Sequence, residues 1–352
     1  MPRQRNHVKQ RRVSAEDVAQ AAGVSRTTVS FVLNNTPGKN ISEATRQRVL
    51  SEASRLGYTP NEDARRLAMV RHNTIGLYIC HSQFVYTDAF IVRTVEGMAQ
   101  TINRNRARLL IHPLTLTEES YLSLARHDGV DGIVLINAHE NDPALTDLVE
   151  ARFPVVAMDH LPDVLIDQVY VDNTAAAREL ITYLIDLGHR RIAMITHASL
   201  VYAASQARHL GYRDALAAAG LDVNDALVRY GDFSERSGYA AMMELLETEP
   251  RPTAVFAGND VIAYGALSAA RDAGLTVPDD ISIVGFDDDH LSRYLNPPLT
   301  TVALPAAGMG SAAASLIMDR LTGDTPQEPS HIVLPSHISV RGSCRRIVPD
   351  ET

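Results

Sequence analysis

Residues suited to holding a small molecule stand just beyond short apolar runs of this 352-residue chain. Tyr86, Thr87, Asp88 and Phe90 follow "TIGLYIC"; Asn137 follows "GIVLI", Asp159 "VVAM", Asn259 and Asp260 "VFAG", and Asp287 and Asp288 "IVGF". Arg208 precedes "LGYRDAL" near a helix start, and Phe233 follows "RYGD". Carboxylates, an amide and a guanidinium exchange hydrogen bonds with hydroxyls while rings cover an apolar face, so the set suits a neutral polyhydroxyl ligand. Arg208 and Asp287 are the strongest ligand candidates, one charge offered from a helix and the other from a strand end. Several of these residues also have structural readings. Asp260 reads as a cap for the helix from Val261, Asn259 and Asp287 also suit caps, and Phe233 suits a core.

A second chemistry is written in "DVAQAAGVSRTTVSFVLNN", residues 17–35. Ser14 and Asp17 form a capping box, after which Val18, Ala19 and Ala22 share one helical face. Gly23 permits a left-handed turn, Val24 plugs the space between two helices, and Ser25 caps the second, whose buried stripe is Val29, Val32 and Leu33. This is a helix-turn-helix. Its second helix presents Arg26, Thr27, Ser30, Phe31 and Asn34 outward, with Ser25 and Thr28 beside them, where side chains reach base edges in a major groove. A third helix runs from a Ser42 cap through Val49, Ala53 and Leu56, leaving Arg46, Arg48 and Arg55 available for phosphates. Beyond Pro60, Asn61 caps "NEDARRLAMVRHN", a segment carrying Arg65, Arg66, Leu67 and Arg71 that is too short and charged to be a stable helix alone.

Charge sets the front of the chain apart. The total is −9, yet residues 1–72 hold 13 lysines and arginines against 6 acids, leaving 20 against 36 for the remainder. A basic module on an acidic body is the footprint of a nucleic-acid contact. Catalysis finds little support: there is no G-x-G-x-x-G after the first strand, no P-loop, no G-x-S-x-G and no H-E-x-x-H. The acidic run Asp287 to Asp289 lacks a phosphate-cradling loop that would suggest magnesium, and neither a metal nor another cofactor is expected. Cys80 and Cys344 match no metal or redox spacing and read as core thiols of a reduced, cytoplasmic protein. His189 reads as structural, placed near a helix C-terminus where a cation or a hydrogen-bond donor is welcome. No export signal or membrane-spanning apolar run is apparent.

The candidates in the body need a scaffold that places strand ends around one cleft. "TIGLYIC", "RLLIH", "GIVLIN", "PVVAMD" and "QVYVD" read as strands of one lobe, and "RIAMIT", "TAVFAGND" and "ISIVGFDD" as strands of another. Helices such as 175–187 and 262–273 alternate with them, which implies α/β lobes with parallel sheets covered on both faces. In such folds ligands bind outside the carboxyl ends of the strands.

The motifs "VSAEDVAQAAGVSRTTVSFVLNN", "ISEATRQRVLSEASRLGYTPN" and "ARRLA" resemble the DNA-binding head and hinge of the lactose/galactose repressor family. The resemblance continues through "DLGHRRIAMI", "ARHLGYRDAL", "AVFAGNDVIAYGAL", "PDDISIVGFDD" and "NPPLTTV", segments also similar to periplasmic sugar-binding proteins. It implies a helix-turn-helix head at 1–60, a hinge helix at 61–72, and an effector-binding and dimerisation body at 73–352 built from two Rossmann-like, periplasmic-binding-protein-like lobes. Lobe 1 is expected at about 73–171 and 304–331, and lobe 2 at about 172–303 and 332–352. The family's effector positions fall on Asp159, Arg208, Phe233, Asn259 and Asp287, and Leu67 takes the place of the leucine that pries open the central base step of the operator. The implied partners are a pseudo-palindromic double-stranded DNA operator, a carbohydrate-like effector and a second copy of the chain. The implied activity is that of a homodimeric, effector-controlled transcriptional repressor. A transport-type sugar-binding protein would have no use for the head, and a sugar-modifying enzyme would need a catalytic constellation. The sequence departs from the lactose repressor in its longer loop at 36–40 and in Phe31, which replaces an arginine and leaves apolar contact with a thymine methyl as one available chemistry. "ALPAAG" replaces the aromatic that some members carry after "LTTV", altering one wall of the pocket.

Overall fold

A computed structural model of the chain describes residues 14–33, 41–56, 58, 73–81, 85–86, 88–114, 120–139, 142–323 and 328–347. It divides into two units, Met1–His72 and Asn73–Thr352. The expected base contact Asn34, the loop at 36–40, Thr87, and the hinge residues Asn61, Arg65, Arg66, Leu67 and Arg71 lie outside the described residues.

The first unit contains α1 (Ala15–Ala22), α2 (Arg26–Leu33) and α3 (Glu43–Arg55). Both halves of the capping box form, with Ser14 Oγ accepting from the Asp17 amide at 3.3 Å and Asp17 Oδ2 accepting from the Ser14 amide at 2.8 Å. Gly23 then ends α1 in the left-handed region at φ 64°, a conformation that a Cβ would strain. Val18, Ala22, Val29, Val32, Val49 and Ala53 bury together, with Val24, Leu33 and Leu56 packed at the margin. These short helices are too small to persist singly, so their common apolar core stabilises them.

The second unit contains two six-stranded sheets. In lobe 1, β1 (Thr74–Ile79) is flanked by β2 (Arg108–Pro113) and β3 (Gly132–Ile136), followed by β4 (Val155–Ala157), β5 (Asp167–Tyr170) and β11 (His331–Val333), all parallel. In lobe 2, β6 (Ile192–Thr196) lies between β7 (Val228–Tyr230) and β8 (Ala254–Ala257), followed by β9 (Ser282–Asp287) and β10 (Thr300–Ala303), with β12 (His337–Ser339) antiparallel on the edge. The alternation of side chains along β1 explains its unbroken apolar run. Ile75, Leu77 and Ile79 enter one core, while Tyr78 and the following Cys80 enter another. The first core is covered by α4 (Ala89–Arg104) and α11 (Ala306–Thr322), the second by α5 (Tyr121–Asp128) and α6 (Ala144–Glu150). Lobe 2 repeats the plan with α9 (Glu235–Leu246) and α10 (Asp260–Asp272) on one face, and α7 (Asn173–Asp186) and α8 (Ala203–Ala218) on the other.

The details differ from the sequence reading in two respects. Lobe 1 continues through Val333, because β11 pairs with β5, so the last crossing lies between Val333 and His337, a few residues beyond the expected bound at about 331. The helices expected from 175 and 262 begin earlier, at Asn173 and Asp260, because Asp172 and Asn259 cap them. His189 follows α7 as a buried side chain, in its neutral form. Burial lowers its pKa to about 4, and Nδ1 lies 3.0 Å from Thr253 Oγ1.

Candidate functional site

In the first unit, Arg26 and Thr27 are exposed in the opening turn of α2. Ser25 Oγ accepts from the Thr28 amide at 3.1 Å and lies 2.9 Å from Thr28 Oγ1, so these two candidates first serve the helix start. Ser30 belongs to α2, and Phe31 is half-buried. Arg46 lies 3.9 Å from Glu43. The other two arginines expected to face phosphates are tied locally: Arg48 donates from Nε to the Ala22 carbonyl at 2.9 Å, and Arg55 pairs with Glu52 at 2.6 Å. The Arg48 bond joins α3 to the last turn of α1, where orphan carbonyls attract a cation.

In the second unit, strand ends and helix starts from both lobes converge on a cavity of about 40 Å³. Asp88, Phe90, Asn137, Asp159, Arg208, Phe233, Asn259 and Asp287 all line it. Tyr86 does not; its side chain is 73% exposed. Asp288 also turns elsewhere, receiving Arg341 Nη2 at 2.6 Å and Ser339 Oγ at 3.2 Å.

Arg208 sits in the second turn of α8, 6% exposed. Its Nε donates to Asn173 Oδ1 at 2.9 Å and its Nη1 to the Gly258 carbonyl at 2.6 Å, while Nη2 lies 3.5 Å from Asp287 Oδ1. The guanidinium also stands 3.8 Å from the centroid of the Phe286 ring, whose face attracts a cation. A buried charge survives only with such compensation. Asp287 reaches the arginine from the end of β9 with its backbone at φ 112°. For a non-glycine residue this is a costly conformation of the kind concentrated at ligand clamps.

The carboxylates combine local and cavity roles. Asp159 accepts from the Ala138 amide at 2.8 Å, and Asp88 caps α4 by accepting from Ile91 at 3.2 Å. Burial pushes Asp159 up to about 6, although the amide and Arg208 oppose the rise; burial also raises Asp88 and Asp287. Asn259 caps α10 by accepting from Ile262 at 2.9 Å. Asp260, expected to be that cap, is instead fully enclosed and accepts from Ser292 Oγ and Thr301 Oγ1 at 2.6 Å and from the Asp289 amide at 2.8 Å. It fastens the turn after β9 to α10 and β10. The shift of one residue arises because Asn259 has the extended backbone of a cap (φ −152°, ψ 174°), whereas Asp260 already belongs to the helix.

Phe233 neither sits in an ordinary core nor stands alone. It adopts φ 68°, and its ring stacks on His81 of lobe 1 at 4.1 Å and meets the edges of Tyr202 at 5.1 Å and His197 at 5.6 Å. One face of Phe233 is therefore taken by a histidine across the cleft. Sequence reasoning missed His81, His197, Tyr202 and Asn173. His197 stands directly after "RIAMIT", where the strand-end rule would have found it, whereas Asn173 would have required knowing where α7 begins.

Among the described residues, no group of three or more His, Cys, Asp and Glu is arranged to hold a metal ion, and no helix is long and apolar enough to cross a membrane. Cys80 and Cys344 are free thiols, pushed by burial to about 12 and about 11.

Comparison with known proteins gives the two units separate matches. Residues 14–61 match the family described as bacterial regulatory proteins, lacI family, and residues 181–344 match the periplasmic binding protein-like domain. The chain is 37% identical over 345 residues to the HTH-type transcriptional regulator CelR of Thermobifida fusca, covering 95% of this chain and 99% of that one. A solved transcriptional regulator CelR–cellobiose complex superposes with a TM-score of 0.70 at 36% identity, over 94% of this chain and 100% of the other. The lac repressor dimer bound to operator and the anti-inducer ONPF gives 0.79 at 25% identity, over 95% and 100%.

Proposed function

The chain belongs to the LacI family of bacterial regulatory proteins, and from that premise we propose which of its residues read DNA and which receive the effector. It is a DNA-binding transcriptional regulator that works as a dimer under control of a small-molecule effector. Its relatives are regulators, not enzymes, and we assign this chain no catalytic activity and a cytoplasmic location.

The proposed reader is α2. Arg26 and Thr27 approach base edges, with Ser30, Phe31 and Asn34 further along and Ser25 and Thr28 at the helix start. Arg46 contacts phosphate, and Asn61, Arg65, Arg66 and Leu67 belong to an operator-contacting hinge at 61–72. The head is assigned to 1–60 and the effector-binding body to 73–352. A dimer with twofold symmetry reads two half-sites, so its operator is pseudo-palindromic.

The observation that carries the effector assignment is Arg208, buried at the meeting of α8, β9 and the start of α7 and surrounded by Asp88, Asn137, Asp159, Phe233, Asn259 and Asp287. A fixed guanidinium beside carboxylates and an amide is suited to the vicinal hydroxyls of a sugar, the ligand class to which cellobiose in the CelR complex belongs. Tyr86, exposed at 73%, is assigned to the rim instead of the wall. Selection of bound duplexes from a randomised pool by the full-length chain tests the reading of the head. Enrichment of a two-fold symmetric sequence is expected, and a pool that stays random after repeated rounds contradicts it.

A further inference from the structure

We propose that the Arg208 cavity admits uncharged or cationic ligands rich in hydrogen-bond donors, such as a free sugar or an amino sugar, and rejects their phosphorylated and carboxylate counterparts, with His197 as a direct ligand contact. The inference rests on the reading of this cavity as the effector site and narrows the class of effector.

Charge is the first ground. Asp88, Asp159 and Asp287 line the cavity, and Arg208 is the one arginine among its described lining residues, which include no lysine. The guanidinium is already committed to Asp287, Asn173, the Gly258 carbonyl and the Phe286 ring. Three acidic side chains thus face one guanidinium that already has partners; burial raises all three carboxyls, and Arg208 opposes the rise. A phosphate or carboxylate would add to that surplus of acidic side chains in a largely buried site, where an unpaired charge is costly to desolvate. Ligand hydroxyls or an ammonium would instead donate to carboxyl oxygens, which accept several bonds each.

His197 is the second and independent ground. It directly follows β6, lines the same cavity and is 4% exposed, yet its Nδ1 is buried without a hydrogen-bond partner among the described residues. Burial, reinforced by the charges of Arg208 and His81, drives its pKa well below the ordinary imidazole value, so the ring is neutral. A neutral imidazole has one donor and one acceptor nitrogen. Buried polar atoms without partners are rare enough to require an explanation, and a ligand hydroxyl at Nδ1 supplies one.

Calorimetric titration of the full-length chain with matched sets decides the matter: glucose, glucosamine, glucose 6-phosphate and glucuronate; the galactose equivalents; ribose and ribose 5-phosphate; cellobiose; adenosine and its monophosphate. In each set that binds, the neutral or amino member is expected to bind at least about tenfold more tightly than its anionic relative. For the best binder, His197→Leu is expected to weaken affinity about tenfold and His197→Gln, which keeps donor and acceptor atoms, to recover part of the loss. An anionic member that binds as tightly as its parent overturns the charge rule, as does a panel in which no neutral or amino compound binds. Unchanged affinity in folded His197→Leu overturns the His197 contact. Binding by adenosine but by no carbohydrate would uphold the charge rule and sink the sugar reading, whereas binding by a sugar phosphate alone would do the reverse.

Discussion

Arg26 and Arg46 occupy different chemical situations in the head. Arg26 is exposed in the first turn of α2, whereas Arg46 stands on α3 within 3.9 Å of Glu43. An arginine fork on a base discriminates by about 1–3 kcal/mol, while a phosphate contact carries no sequence information. Arg26→Ala is therefore expected to weaken a selected operator by that amount and to lower specificity, and Arg46→Ala to weaken specific and random duplexes alike and flatten the salt dependence. Salt titrations of both variants on both duplexes check this, and equal losses for Arg26→Ala would assign it to phosphate. The residue scale also shows how far sequence alone reaches. Strand-end position was enough to gather Asp88, Asn137, Asp159, Asn259 and Asp287 at one cavity, since a parallel sheet delivers all its carboxyl ends to one edge. It did not reveal that Arg48 is tied to Ala22 or that Phe233 stacks on His81, because those contacts join residues distant in the chain.

Helices and strands were legible where their burial is one-sided or complete. α1, α2 and α3 announced themselves through Ser14, Gly23, Ser25 and Ser42, each of which caps or terminates as expected. The short strands β7, β11 and β12 gave no such signal. β11 has all three residues exposed and lies at a sheet edge, and its apolar run, Ile332 to Leu334, is too short to mark a strand. Packing between helices is equally hidden. α4 and α11 approach so closely that a Cβ on Gly97 would lie 1.9 Å from the Ala307 carbonyl oxygen, and one on Gly310 would lie 2.2 Å from that of Thr94. Backbone cannot yield as a flexible side chain does, and overpacking typically costs about 1–3 kcal/mol. Gly97→Ala is expected to lower stability by at least that amount while Gly220→Ala, with open space around its Cβ position, loses only what its left-handed backbone imposes. Urea unfolding of the two variants compares them, and an unperturbed Gly97→Ala midpoint would mean that the helices separate freely.

At the scale of the whole molecule, regulation requires that effector and operator each favour one of two states, so the coupling between them is reciprocal: effector changes DNA affinity by the factor by which DNA changes effector affinity. Arg208 lines the cavity proposed to receive the effector, and the head has its own core of Val18, Val29, Val32 and Val49. The most direct test is the dissociation constant of the selected operator, measured with and without the effector identified by calorimetry, for the full-length chain and for Arg208→Ala. The account predicts that effector shifts operator affinity several-fold or more in the native chain, and that Arg208→Ala binds operator as the effector-free protein does and responds to no concentration of effector. A native dose response in Arg208→Ala, or an operator affinity that ignores the effector in the unaltered chain, would contradict it.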